Sequence, residues 1–381
     1  MPRPIYNPHG TESLTKHCIL LLLVCACTLV RAQLPNSIVS RLVLEGKYHY
    51  GIIIPHHGNM VHLTDQHISF FEVNAGLRGT GENKLDQLYR YPDKGISLMV
   101  SDLGGSPYLG KMVCLFPWLN YPMAQSKRLA FNFRFGLGLA YISKPFDRIE
   151  NYKNIAIGSH INAMAQVLFE LKWKATSRLS LAAGLSLTHL SNGAFKIPNL
   201  GLNIPTLSAG VTYKINKKEP ELFTQELPPL SRKWEMDVIV WGGVSELWGA
   251  GGDKYPAYGI MTTFNKPISL KRKLSAGFDI YYDNALREVL RRDGITAKLP
   301  FESMRAGITF GHILTFSRLS FIIQVGAYVY QKEKSDGWVY DRMMLQYHIN
   351  RHIFVNVALK THLAKADLIE WGLGYRIEKR H

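Results

Sequence analysis

From residue 47 onward the chain repeats one device: about ten residues in which apolar side chains alternate with small or polar ones, then a connection, then another such stretch. RLAFNFRFGLGLAY (128–141), RLSLAAGLSLTHLS (178–191) and RLSFIIQVGAYVYQ (318–331) show it most clearly. A period of two is that of a strand, whose side chains point to opposite faces in turn. No segment of the mature chain carries a convincing helical period. The connections alternate as well. TSR (176–178), FSR (316–318) and NR (350–351) are tight, whereas 143–158 and 283–302 are long and charged. Short turns at one mouth and long loops at the other, with aromatics near many strand ends, is the pattern of a membrane-spanning barrel. A soluble β-sandwich alternates too, but less often keeps that asymmetry through so many hairpins. The expected fold is all-β: an antiparallel transmembrane β-barrel of about 14–16 strands. The run KKEPELFTQELPPLSRK, 217–233, is short enough to be a turn, which favours one barrel over the alternative of two eight-stranded barrels.

The N-terminus reads as an export signal. Lys16 and His17 precede CILLLLVCACTLV, and Val30 and Ala32 fit the small-residue cleavage rule, so the mature chain is expected to start at Gln33. The apolar run is too short to span a bilayer comfortably. The residues before Cys25 and Cys27 fit a lipoprotein signal poorly. Cys18, Cys25 and Cys27 leave with the signal; Cys114 alone remains, so no intramolecular disulfide is possible. A formal net charge of +16 would suit nucleic acid, but export removes that partner and no binding motif appears. GLGLAY (136–141) is glycine within a strand and not a phosphate loop, because neither Lys-Ser/Thr nor a helix follows.

The stretch LTHLSNGAFKIPNLGLN (187–203) is the least generic. Along 179–191, one face carries Leu179, Leu181, Ala183, Leu185 and Leu187 and continues into His189 and Ser191. In a membrane barrel that face meets lipid. The next strand begins in the same phase, so Asn203 lies across one hairpin on the same outward face. Polar groups at a lipid-facing rim are costly unless used. A serine hydroxyl needs an adjacent base, and the base an orienting partner. Ser191, His189 and Asn203 have those chemistries, and Asn192 or the Gly193 N–H could hold an oxyanion.

These residues resemble the active-site hairpin of the PagL-type lipid A 3-O-deacylase (acyloxyacyl hydrolase) family. The family pattern is His-x-Ser-Asn, then a Lys, then Pro-Asn, then an acid. His189, Ser191, Asn192, Lys196, Pro198 and Asn199 match it. The resemblance spans roughly 130 to 216. It implies an outer-membrane barrel esterase that removes an ester-linked acyl chain from lipid A of lipopolysaccharide, without cofactor or metal. It makes Ser191 the nucleophile and His189 the base, and Lys196 and Asn199 substrate-binding residues. One position departs: the family's triad glutamate falls at Asn203. An amide can orient a histidine but cannot stabilise an imidazolium by charge. Asp147 and Glu150, in the preceding long loop, are candidates to supply an acid. The alternative from another class is a non-catalytic outer-membrane barrel, a pore or a lipopolysaccharide-binding structural protein.

The domain reading is a signal at 1–32, a barrel half with the site at 33–218, a linker at 219–232 and a second half at 233–381. THLS (188–191) recurs as THLA (361–364) and GVTYKINK (210–217) as GLGYRIEK (372–379), which suggests distant repeats. The second copy has Ala364 at the serine position, His362 on the opposite face, and Glu370 as a rim charge. His56, His57, His62 and His67 read as a loop cluster, since neither helical spacing nor a carboxylate set accompanies them. Arg287, Arg291, Arg292 and Lys298 fill the longest loop, either as lipopolysaccharide-phosphate contacts or as solvated charge.

Overall fold

The computed structural model describes residues 36–378, apart from 82, 84, 248–251, 296–299 and 364. The expected signal, Lys298 and Ala364 lie outside the described residues. Sixteen strands are present among them, the upper end of the range expected from the alternation. The first eight are β1 (Leu42–Gly51), β2 (Ile68–Leu77), β3 (Asp93–Ser101), β4 (Met112–Gln125), β5 (Leu129–Ile142), β6 (Ile161–Lys174), β7 (Leu179–Ser191) and β8 (Leu202–Lys214). The second eight are β9 (Glu235–Glu246), β10 (Lys254–Pro267), β11 (Arg272–Asp283), β12 (Met304–Phe316), β13 (Leu319–Gln331), β14 (Val339–His348), β15 (Ile353–His362) and β16 (Lys365–Glu378).

The single large barrel favoured from the sequence is not what these strands build. They form the alternative, two closed antiparallel barrels of eight strands each. β1 returns to β8, with Leu44 opposite Tyr213, and β9 returns to β16, with Val240 opposite Leu373. Eight strands enclose a lumen just wide enough for side chains to fill. Closure leaves no sheet edge, which a chain in hydrocarbon requires.

Each strand sends alternate residues outward and inward. The outward set is apolar and uncovered: Leu185, Leu207, Phe310 and Trp371 are each more than 60% exposed. The inward set is largely polar. In the first barrel Arg134 pairs with Glu45, and Lys47 with Glu170, all buried. Above them Phe70, Met99, Phe116 and Leu190 pack as an apolar plug. In the second barrel Arg342 lies between Asp279 at 2.6 Å and Glu370 at 2.9 Å. Glu370 is thus a fully buried lumen residue, not a rim charge. His362 does face inward, with Nε2 2.8 Å from the Tyr328 hydroxyl.

A helix does exist, in the long loop after β11. Asn284–Arg292 is capped by the Asp283 carboxylate, which accepts from the Ala285 N–H at 2.8 Å. Three of its charges pair along the helix: Glu288 binds Arg291 at 2.7 Å and Arg292 at 2.8 Å. Those hydrogen bonds hold the Glu288 carboxyl down at about 2.

At the short-turn mouth one connection, 78–92, is long and brackets the barrels together. The Tyr89 hydroxyl donates to Thr315 O at 2.6 Å, and Asn83 binds Ser317. The linker runs along the same bracket: the Phe223 N–H donates to Thr80 O at 2.7 Å, and Gln87 donates to Gln225 O at 2.6 Å.

Candidate active site at the rim of the first barrel

Register places the pair. His189 on β7 is directly opposite Asn203 on β8, and Ser191 is opposite Ala163 on β6. Directly opposed residues have Cβ atoms about 5 Å apart, so their side chains meet. His189 Nδ1 lies 2.7 Å from Asn203 Oδ1. A carbonyl oxygen only accepts, so Nδ1 carries the proton and Nε2 presents a lone pair. Gly201 makes room for the ring. Its φ is +80°, and a Cβ there would come within 3.1 Å of His189 Cε1.

One residue of this arrangement was not foreseen as part of it. Asn203 Nδ2 donates to His56 Nδ1 at 3.3 Å, and His56 Nε2 is 2.7 Å from Leu200 O. That backbone carbonyl again accepts only, so the His56 proton sits on Nε2 and Nδ1 is free to accept. His56 thereby sets which end of the Asn203 amide faces His189. The sequence showed His56 only as one of several loop histidines. What joins it to the site is the path of the 52–67 loop, where the Ile54 N–H donates to Asn203 O at 2.9 Å.

Ser191 keeps the outward phase but is only 9% exposed, because its own loop folds over it. The Gly193 N–H donates to Ser191 Oγ at 3.1 Å and Asn199 Nδ2 does so at 2.8 Å. Both acceptor positions of the hydroxyl are filled, which leaves its proton to give away. Among the described residues there is no hydrogen bond between His189 and Ser191, two positions apart on one face. Catalytic hydrogen bonds are often long before substrate binds.

The loop after β7 is a tight turn. Gly193 and Ala194 have φ of 61° and 64°, and the Phe195 N–H donates to Asn192 O at 3.2 Å. Asn192, expected as an oxyanion donor, braces this turn. Its N–H donates to Asn199 Oδ1 at 3.0 Å, and its side-chain amide donates to Ser159 Oγ at 3.0 Å and Lys196 O at 2.7 Å. Asn199, expected as a substrate-binding residue, donates to Ser191 Oγ. The Lys196 ammonium makes no hydrogen bond among the described residues and is half-buried beside this turn.

Among the described residues neither Asp147 nor Glu150 makes a hydrogen bond or ion pair with His189. Asp147 Oδ1 accepts from the N–H groups of Glu150 and Ile149, at 2.9 and 2.8 Å, and these bonds hold its carboxyl below the usual range. The loop that carries them still supports the hairpin, for the Gly201 N–H donates to Ala156 O at 2.9 Å.

Two family models match the chain. One, described as lipid A 3-O-deacylase (PagL), matches residues 70–212, and the other, acyloxyacyl hydrolase C-terminal domain, matches 234–380. No curated protein matches it. Among solved structures, Neisserial surface protein A is 14% identical, covering 45% of this chain and 96% of its own, with a TM-score of 0.33. A mutant of the Rh. blastica porin is 10% identical, covering 88% and 99%, with a TM-score of 0.17. The Pseudomonas putida toluene transporter TodX is 8% identical, covering 90% and 88%, with a TM-score of 0.17.

Proposed function

Since this chain belongs to the PagL family of lipid A 3-O-deacylases, we propose that it is an outer-membrane serine esterase that removes an ester-linked acyl chain from lipid A. The observation that carries the reading is the His189–Asn203 contact, which leaves Nε2 unprotonated two residues from a serine whose own proton is unclaimed. The site stands at the rim of an apolar outer belt, where the ester bonds of a lipid lie.

Ser191 Oγ attacks the acyl carbonyl as His189 Nε2 takes its proton. The carbonyl oxygen becomes an oxyanion, and the Gly193 N–H and Asn199 Nδ2 are the donors at hand. His189 then returns the proton to the departing sugar hydroxyl. Water, activated by the same imidazole, releases the fatty acid from the acyl-serine. Lys196 offers a cation to a lipid A phosphate.

Mass spectrometry of lipid A from cells expressing the wild type should show a species lighter by one acyl chain. Ser191→Ala and His189→Ala should restore the full-length pattern. Identical patterns in all three would sink the esterase reading. That result would favour the non-catalytic reading, to which the amide at Asn203 lends support. Of its forms the pore is the weaker, because both lumens are filled by buried side chains.

A further inference from the structure

The nucleophile's turn does not stand alone; it leans on the second barrel. The Ile197 N–H donates to Glu246 Oε2 at 3.0 Å, and the other oxygen of that carboxylate accepts from the Gly252 N–H at 2.8 Å. Glu246 is 7% exposed and ends β9, so one buried carboxylate ties the second barrel's first hairpin to the first barrel's site loop. Lys254, which opens β10, donates to Phe195 O, and its ammonium lies 3.7 Å from the centre of the Phe195 ring. A third contact is steric. A Cβ on Gly193 would fall 2.4 Å from the Ile369 side chain on β16. These contacts reach three residues of the 193–197 turn, whose Gly193 N–H bears on Ser191 Oγ.

We propose that the second barrel, which has no serine at the equivalent position, is the positioning element of the active site, with Glu246 as its main positioning residue. This rests on the esterase reading above. A buried carboxylate that accepts two backbone N–H groups is a strong, directional tie. Holding Ile197 and Phe195 fixes the turn between them and the nucleophile, so the Gly193 N–H keeps its aim. The rim hairpin of the second barrel is thus the platform for the site of the first.

The test uses the full chain with Glu246→Ala, Glu246→Gln and Lys254→Ala, each checked for a folded barrel by heat-modifiable gel migration. Glu246→Ala should raise hydrogen exchange across 193–199 by about tenfold or more. It should also lower kcat for lipid A deacylation by about 10- to 100-fold, with KM changed less than about twofold. Glu246→Gln keeps an acceptor oxygen for Ile197 and should recover most of both. Lys254→Ala should give a smaller change of the same kind. Unchanged exchange in Glu246→Ala would refute the tie. Raised exchange with an unchanged kcat would refute its bearing on catalysis. If the wild type removes no acyl chain at all, it is the esterase reading that fails, and the exchange measurement still decides whether the second barrel holds the turn.

Discussion

Asn203 stands where the resembling family has an acid, and its surroundings explain how an amide can serve there. An amide has two ends, and the wrong one facing His189 would put the proton on Nε2 and remove the base. His56 selects the end. His56→Ala should therefore lower kcat by about tenfold, and the same change in an Asn203→Glu background should have little effect, because a carboxylate presents an acceptor either way. Asn203→Glu alone should raise kcat by about tenfold through charge stabilisation of the imidazolium. Equal losses on His56→Ala in both backgrounds would refute the orienting role. Of the candidate site, the shared outward face of His189, Ser191 and Asn203 was legible because a strand's period of two is local. His56, and the contact that Asn199 makes with Ser191, were not, since both depend on how two loops fold back.

Among the elements, strands were easier to read than what joins them. The stretches 128–141, 178–191 and 318–331 became β5, β7 and β13 almost residue for residue. The Asn284–Arg292 helix was hidden because its length is short and its charges face water. The linker should show a pH dependence. Burial raises the Glu219 carboxyl, but Lys214, Arg78 and Lys174 outweigh it and bring it to about 2, below its ordinary 4.5. A lowered carboxylate stabilises the folded state above its unfolded value and loses that contribution as pH falls through the folded one. The Phe223 amide, bonded to Thr80 O, should keep its protection factor down to about pH 4.5 and lose part of it between there and about pH 2. Glu219 is half-exposed, so the effect should stay below about 1 kcal/mol. Glu219→Gln should abolish the pH dependence at that amide.

For the molecule as a whole, the number of barrels was the part the sequence did not reveal. Sixteen hairpin-linked strands read the same whether β1 meets β16 or β8, and the closing pair joins residues some 170 apart, such as Leu44 and Tyr213. The deciding physics is in the lumens, where long charged side chains meet across a narrow interior. Arg342→Ala leaves Asp279 and Glu370 buried without their cation and should destabilise the second barrel by about 3–5 kcal/mol in urea unfolding. Neither barrel should conduct ions in a planar bilayer.

Separate closure also divides the supports of the candidate site between two sheets. The first barrel closes on itself with His189, Ser191 and Asn203 in place, but Glu246 and Ile369, which touch the turn beside Ser191, belong to the second. A truncation that spares every strand of the first barrel would therefore still strip the turn of these contacts.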